Sequence, residues 1–270
     1  MSQQRSIFIT GGASGIGRAV AQHFAARGWF VGVADINEAG MAETLGLIAG
    51  EAKWSGTLDV RDRAAWDAAL TAFSTAAGGR IDVMVNNAGI GTGGPLAELG
   101  KEEIDRCLDI NLRGVLYGAQ AVYPFLKASA PGSALVNIAS AAGITGGSGM
   151  SVYSATKFGV RGIAESLDAE WAPDGIKVSS ICPSFIDTPL LDGTGNRNTN
   201  ENIRTRVTAA GLEITPVEQV AEAVWNAVHG DELHYLVGKT ARQLAFAKRW
   251  MPGKVRKQQR AAGRQGLLGK

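Results

Sequence analysis

Short apolar segments alternate along this chain with longer segments of helical periodicity, and this alternation strongly constrains the fold. Buried strands separated by helices form a parallel sheet, with a helix in each crossover connection. The segments that predict strands are Ser6–Thr10, Phe30–Ala34, Gly56–Leu58, Ile81–Val85, Ala134–Ile138, Lys177–Ile181 and His234–Val237. They predict one α/β domain with a doubly wound, mostly parallel, seven-stranded sheet and helices on both faces.

Segments of helical periodicity fill the connections between these strands. They predict helices over Ile16–Arg27, Met41–Ile48, Ala64–Ala76, Ile104–Leu126, Val152–Trp171 and Pro216–Val228. Pro124 is expected to kink the fourth helix, because proline removes a backbone donor and clashes with the preceding turn. Residues 192–202 are polar, rich in turn-forming residues and without periodicity, which predicts a mobile loop.

The composition is that of a globular protein, with 45% apolar and 19% charged residues. No apolar run approaches the length of a membrane span, and the N-terminal sequence lacks the features of a signal peptide. We therefore expect a soluble, cytoplasmic protein. The two cysteines, Cys107 and Cys182, and the three histidines do not form a metal motif, so we expect free buried thiols and no metal.

Cations are concentrated near the C-terminal end of the chain, where no Asp or Glu follows Glu232. Leu244, Ala247 and Met251 recur there at helical spacing with cations between them. This pattern predicts an amphipathic surface helix.

We interpret residues 239–270 as a basic extension of a domain that spans residues 1–238. The extension packs on a neighbouring subunit or covers a ligand pocket, remains solvated, or contacts an anionic membrane or nucleic acid. Pro252 and Gly253 would interrupt a long helix, which weakens the alternative of peripheral membrane contact. Nucleic-acid binding is not expected.

A glycine-rich turn, Thr10–Gly17 (TGGASGIG), lies between the first predicted strand and the first predicted helix. A diphosphate can approach backbone amides there, at the positive end of the helix dipole, because glycine has no Cβ to block it. The residues expected to bind a dinucleotide in this turn are Gly11, Ser14, Gly15, Ile16 and Gly17. A purely structural turn is the alternative.

Asp35 follows the second predicted strand, where a carboxylate can accept hydrogen bonds from the adenosine ribose hydroxyls. It would repel the 2′-phosphate of NADP, and Ile36 and Asn37 supply no cation for that phosphate. The sequence therefore favours NAD, although Arg18 is a nearby cation that complicates this preference. In the alternative interpretation, Asp35 only caps the following helix.

Tyr153 and Lys157 are four residues apart in a predicted helix, so their side chains project from the same face. A free tyrosine has a pKa of about 10, and an adjacent ammonium favours the phenolate that a proton-transfer residue needs. Ser140 follows the fifth predicted strand, at the sheet edge where open α/β folds bind ligands. A solvated helix face and a simple turn serine are the structural alternatives.

Five motifs occur in the order found in the main single-domain branch of the short-chain dehydrogenase/reductase family, which residues 6–238 resemble. The motifs are TGGASGIG, Asn86-Asn87-Ala88-Gly89, Asn111, Ser140 and Tyr153-Ser154-Ala155-Thr156-Lys157. The resemblance implies a Rossmann fold and an NAD-dependent enzyme that interconverts an alcohol and a carbonyl compound. It also implies a homodimer or homotetramer assembled through the long helices.

The resemblance implies roles for particular residues. Tyr153 would be the acid/base, Ser140 would hold the substrate oxygen, Lys157 would tune the tyrosine and bind the nicotinamide ribose, and Asn111 would support a water that leads protons to bulk solvent. Besides the glycine-rich turn, the implied cofactor contacts are Asp35, Ile36, Asp59, Val60, Asn87, Ala88, Gly89, Tyr153, Lys157, Pro183, Ile186 and Thr188. Ser184 departs from the glycine that is common in the family at that position.

The substrate pocket is the least constrained part of the prediction. Its expected residues are Ser140, Ile144, Met150, Tyr153, Phe185, Leu190 and Leu191. The apolar members favour a hydrophobic secondary alcohol or its ketone, or else they only pack a lid. A catalytically silent dinucleotide sensor or scaffold on the same fold is the alternative function, and the intact Ser140, Tyr153 and Lys157 argue against it.

Overall fold

The computed structural model describes residues 4–193 and 200–264 of the chain. The strands in these ranges are β1 Ser6–Thr10, β2 Phe30–Asp35, β3 Lys53–Thr57, β4 Val83–Asn86, β5 Ala134–Ile138, β6 Lys177–Pro183, β7 Phe185–Ile186, β8 Ile214–Thr215 and β9 His234–Val237. Seven of them form one sheet in the order β3-β2-β1-β4-β5-β6-β9, and every neighbouring pair is parallel. The predicted doubly wound α/β domain is confirmed.

Helices occupy the connections on both faces of this sheet. The α-helices of the described residues are α1 Gly15–Ala25, α2 Glu38–Gly46, α3 Arg63–Ala76, α4 Lys101–Leu108, α5 Gly114–Ser129, α6 Ser151–Trp171, α7 Ile203–Ala209, α8 Glu218–His229, α9 Lys239–Trp250 and α10 Pro252–Arg264. A π-helical segment, Asp109–Arg113, joins α4 to α5. The helix predicted over Ile104–Leu126 therefore changes its hydrogen-bond pattern at this segment, and it continues through Pro124 to Ser129.

Alternate residues of each central strand are buried on opposite faces of the sheet. Ile7 and Ile9 of β1 pack in the core formed with α1 and α8, whereas Phe8 packs in the core formed with α3 and α5. Because helices cover both faces, side chains on both faces of the central strands are buried, and most of them are apolar, as is typical of parallel sheets. This burial explains why short continuous apolar runs in the sequence predicted the positions of these strands.

The order of the strands places the predicted motifs at one edge of the sheet. The chain reverses direction across the sheet between β1 and β4, and ligands of open α/β sheets bind outside the carboxyl ends of strands at such a point. The glycine-rich turn follows β1, Asn87 follows β4 and Ser140 follows β5. Pro183 ends β6 at the same edge.

Several predicted boundaries differ from the observed ones. Helix α2 begins before Met41, because the side chain of Asn37 accepts a hydrogen bond from Gly40 N and caps it. Strand β3 begins before Gly56, since it pairs with β2 from Lys53 onward although its sequence is largely polar.

The C-terminal extension is helical in its described part. Helix α9 ends at Trp250 and α10 begins at Pro252, so the predicted interruption is present. Residues 194–199 of the segment predicted as a mobile loop, and residues 265–270 of the extension, lie outside the described residues. Within the described ranges, no helix is both long and apolar enough to cross a membrane.

Candidate active site

The glycine-rich turn after β1 depends on residues without a Cβ. Gly11 and Gly15 have φ angles of 66° and 52°, in the left-handed region that favours glycine. A Cβ on Gly17 would lie 2.2 Å from the backbone oxygen of Gly11, so the turn and α1 pack closely. A Cβ on Gly15 would lie 3.2 Å from Cγ2 of Thr188, which brings the segment after β6 against this turn.

Asp35 is held in a fixed position at the end of β2. Its Oδ2 accepts a hydrogen bond from Ala13 N at 3.1 Å, and its Oδ1 accepts one from Asn37 N at 3.0 Å. The neighbouring Ile36 side chain is 67% exposed. A carboxylate and an exposed apolar side chain therefore lie beside the glycine-rich turn.

Arg18, the cation that complicated the cofactor preference, is occupied by other partners. Its Nη2 donates to Ala13 O at 2.6 Å and to Glu43 Oε2 at 2.8 Å, and its Nε donates to Thr44 Oγ1 at 3.0 Å. These contacts tie α1 to α2. The guanidinium is thus engaged within the protein.

Thr10 joins the segment after β4 to the glycine-rich turn. Its hydroxyl accepts hydrogen bonds from Asn87 N at 3.0 Å and Ala88 N at 3.1 Å, and the Asn87 side chain donates to Thr10 O at 2.8 Å. This role of Thr10 was not predicted from the sequence. The feature that could have predicted this role is a hydroxyl residue directly before the first glycine of the turn. Such a residue is also common at the end of a strand, so this feature alone is not specific.

Asp59 and Val60 follow β3. The Asp59 carboxylate binds the Arg61 guanidinium through both oxygens, at 2.6 to 3.0 Å, and this hydrogen bonding lowers the pKa of the carboxyl. Val60 is buried and packs against Gly114 at the start of α5.

Ser140, Tyr153 and Lys157 come together at the carboxyl end of β5. Ser140 precedes a short 3₁₀ turn, and its Oγ accepts a hydrogen bond from Ala142 N at 3.1 Å. The Tyr153 phenol forms a hydrogen bond with Ser140. One helical turn later, Lys157 Nζ donates to Ile138 O at 2.9 Å and lies 5.7 Å from the centre of the Tyr153 ring.

Burial is the main influence on the two titratable groups of this cluster. It raises the pKa of the Tyr153 phenol, whereas the hydrogen bond with Ser140 acts in the opposite direction. It also lowers the pKa of Lys157 to about 8, against the opposing effect of the nearby thiols of Cys107 and Cys182. The sequence predicted that the lysine neighbour lowers the tyrosine pKa, but the pKa is raised, because an enclosed phenolate loses its hydration.

Asn111 lies in the π-helical segment and is fully buried. Its Oδ1 accepts from Ile90 N and its Nδ2 donates to Ile90 O, both at 2.8 Å. A Cβ on Gly89 would lie 3.3 Å from Asn111 Oδ1 and 3.7 Å from Lys157 Nζ. Asn111 therefore fixes the segment after β4 beside Lys157.

Cys107 belongs to the same neighbourhood, which the sequence did not reveal. Its Sγ accepts a hydrogen bond from Asn111 Nδ2 at 3.6 Å. Burial raises the pKa of this thiol. Cys107 and Cys182 are both free and buried, as predicted.

Comparison with known proteins identifies the family to which the chain is similar. A family model described as short chain dehydrogenase matches residues 5–201. The chain is 39% identical over 189 residues to 2-dehydro-3-deoxy-L-rhamnonate dehydrogenase (NAD(+)) of a Sphingomonas species, covering 70% of this chain and 74% of that protein. It is 38% identical over 231 residues to 3-alpha-(or 20-beta)-hydroxysteroid dehydrogenase of Mycobacterium bovis, covering 85% and 84%.

The chain belongs to the short-chain dehydrogenase family. Among solved structures, 3-ketoacyl-(acyl-carrier-protein) reductase from Brucella melitensis complexed with NADH has a TM-score of 0.78 and 28% identity, covering 89% of this chain and 100% of that one. The relatives are dehydrogenases and reductases, so this short-chain dehydrogenase has a general oxidoreductase role.

Pro183, Ile186 and Thr188, the residues predicted to contact the nicotinamide end of the cofactor in this short-chain dehydrogenase, lie at the end of β6 or follow it. Pro183 pairs with Val237 of β9, Ile186 is buried, and Thr188 Oγ1 donates to Ile186 O at 3.3 Å. Ser184, where the family commonly has glycine, donates its backbone N–H to Val237 O at 3.0 Å.

The predicted substrate residues of the short-chain dehydrogenase differ in their exposure. Leu190 is 47% exposed and approaches Gly91 in the segment that follows β4. Met150 and Phe185 are half-buried. Leu191 and Ile144 are buried, and Ile144 packs in a small apolar cluster that α9 also contacts. Their contact with a substrate stays a prediction.

Proposed function

We propose that this protein is an NAD-dependent oxidoreductase that interconverts an alcohol and its carbonyl compound, with Tyr153 as the acid/base. The observation that carries the proposal is the cluster of Ser140, Tyr153 and Lys157. A phenol hydrogen-bonded to a serine, beside a buried ammonium, is suited to moving a proton to or from a substrate oxygen.

The residues around the glycine-rich turn fit a dinucleotide. Gly11 and Gly15 place no Cβ atom at two positions of the turn, and the exposed Ile36 offers an apolar surface to an adenine ring. Asp35 would accept hydrogen bonds from the ribose hydroxyls. Because Arg18 is engaged by α2, it is not available to a 2′-phosphate, and this supports NAD over NADP.

The chemistry of the chain follows from its own side chains. When bound, NAD supplies the hydride acceptor for oxidation, and its reduced form supplies the hydride donor for reduction. Ser140 would donate a hydrogen bond to the substrate oxygen and stabilise charge there. Tyr153 Oη would take the alcohol proton during oxidation and return it to the carbonyl oxygen during reduction.

Lys157 and Asn111 would support this proton transfer. At neutral pH Lys157 is mostly charged, because its pKa of about 8 lies above neutrality, and its charge favours the phenolate. Asn111 would position the segment after β4 next to the lysine, and by family resemblance it would hold a water on the path of the proton.

For the substrate we propose a hydrophobic secondary alcohol or its ketone. The half-buried Met150 and Phe185 and the exposed Leu190 support this, because they are apolar side chains in the segments before Tyr153 and after Pro183 that a substrate could contact. The names of the two relatives above refer to a steroid and to a sugar acid, so family membership alone leaves the substrate class open.

A panel of hydrophobic secondary alcohols, assayed with NAD and with NADP, tests the proposal through the absorbance of the reduced nicotinamide. We expect turnover with NAD and much less with NADP. The isosteric variant Asp35→Asn should bind NAD more weakly and discriminate less between the cofactors. A strong NADP preference in the wild type would overturn the role of Asp35, and dinucleotide binding without turnover of any alcohol or ketone would favour a silent sensor.

A further inference from the structure

A cleft outside the proposed active site separates the C-terminal helices from the segment that joins Ser140 to Tyr153. Its volume is about 440 Å³. The residues that line it are Thr145, Gly146, Lys248, Pro252, Gly253, Val255, Arg256 and Gln259. Gln259 Nε2 donates to Thr145 Oγ1 at 3.1 Å and Val255 is buried, so α10 is fixed against the opposite wall.

The described lining of the cleft carries positive charge and contains no acidic side chain. Lys248 and Arg256 line it, and neither forms an ion pair within the part of the chain that the structure describes. No Asp or Glu follows Glu232 in the sequence. The N-terminus of α10, at Pro252 and Gly253, adds the positive end of a helix dipole and has no acidic residue in its first turn.

A neutral donor, the Thr145 hydroxyl, also lines the cleft. The Thr145 hydroxyl accepts from Gln259 and keeps its hydrogen available to donate.

We propose that this cleft binds the phosphate or carboxylate group of a small anionic molecule. Two cations, a helix N-terminus and a hydroxyl donor provide the groups that anions prefer in proteins. The site is distinct from the glycine-rich turn, where a dinucleotide diphosphate would bind, so it does not depend on the proposed oxidoreductase activity.

The first experiment titrates the full-length wild-type protein with inorganic phosphate, and separately with acetate, while amide resonances are followed by NMR. We expect phosphate, acetate or both to shift the amides of Gly146, Gly253 and Val255, whereas chloride at equal ionic strength does not. Comparison of the two anions distinguishes a phosphate site from a carboxylate site. If neither anion moves these amides, or if only Gly11 and Gly15 respond, the proposal is wrong.

A pair of matched double variants then tests the two cations. Lys248→Met/Arg256→Met removes the lining charges, and Arg242→Met/Lys257→Met removes the same charge from the same helices outside the cleft. Since all four side chains are exposed, we expect both variants to fold. The first should bind the anion about tenfold more weakly and the second nearly as well as the wild type.

If both double variants bind the anion equally weakly, only the overall charge of the protein matters. This result would contradict a specific anion site in the cleft. Vesicles of phosphatidylglycerol provide a further comparison, because α9 also exposes Phe246 and Trp250. Vesicle binding without any response to free phosphate or acetate would assign the cations to a membrane surface instead and contradict the proposal.

Discussion

Lys157 is a charged group enclosed by the protein, and its chemistry depends on that enclosure. Only 6% of the residue is exposed, and burial lowers its pKa to about 8. Its hydrogen bond to Ile138 O and its position beside the Tyr153 ring hold the ammonium in place. A lysine with this pKa loses its proton within a range of pH that is accessible to experiment.

The stability of the folded protein should therefore increase with pH because of Lys157. Between pH 8 and about 10.5 the unfolded chain binds more protons at this lysine than the folded chain, so rising pH removes a penalty on folding. From pH 8 to 10, the wild type should gain about 2 kcal/mol of unfolding free energy relative to Lys157→Met.

Urea unfolding of both proteins at the two pH values measures this difference. Lys257→Met, which removes an exposed lysine, controls for the loss of a charge. A difference between wild type and Lys157→Met that stays constant with pH would show that Lys157 titrates normally in the folded protein.

The π-helical segment Asp109–Arg113 places Asn111 toward the segment that follows β4. π-Helical turns inside longer helices are rare and frequently occur at functional sites. Here the side-chain amide of Asn111 pairs with both backbone groups of Ile90, as a neighbouring strand would. The segment thereby connects the α4–α5 helix to the edge of the sheet.

Asn111→Leu should destabilise the protein because it leaves both backbone groups of Ile90 without these partners. We expect a loss of about 1–3 kcal/mol of unfolding free energy, measured by urea denaturation. Asn226→Leu on the exposed side of α8 should change stability by less than about 0.5 kcal/mol. Equal effects of the two substitutions would argue against a specific role of the Asn111 amide.

The elements that were predicted well are those whose own sequence determines them. The bounds of β1, β5 and β9 agree with the apolar runs, since these strands are short and end at polar or turn residues. The π-helical segment was missed because its hydrogen bonds differ from those of an α-helix while its sequence pattern does not. The small sheet of β7 and β8 was missed because it pairs segments that are distant in sequence.

The same distinction applies to the site. The spacing of Tyr153 and Lys157 predicted that they lie together, because helical geometry alone brings them to one face. The direction of the Tyr153 pKa shift was not predictable in this way. It depends on the burial of the phenol in the folded protein, which the spacing of residues along one helix does not determine.

Two helices that cover the same face of the sheet, α5 and α6, carry exposed apolar side chains. Leu116 of α5 is 47% exposed and Phe158 of α6 is 42% exposed. Exposed apolar side chains that form a contiguous patch often mark contacts between subunits. We propose that α5 and α6 carry the interface of a homodimer or homotetramer.

Leu116→Glu/Phe158→Glu should then reduce the molar mass in solution, because two carboxylates would be buried without partners in the interface. Size-exclusion chromatography with light scattering measures the change. Leu47→Glu, at an exposed leucine just after α2, should leave the mass unaltered. A monomeric wild type, or an unchanged mass of the double variant, would contradict this interface.

The substitution Tyr153→Phe tests the central claim most directly, because it removes one oxygen and keeps the ring. Turnover of the best alcohol from the panel should fall by about 10²–10⁴-fold, while calorimetry should show NAD binding as in the wild type. A variant that binds NAD and turns over at close to the wild-type rate would contradict the assignment of Tyr153 as the proton-transfer residue.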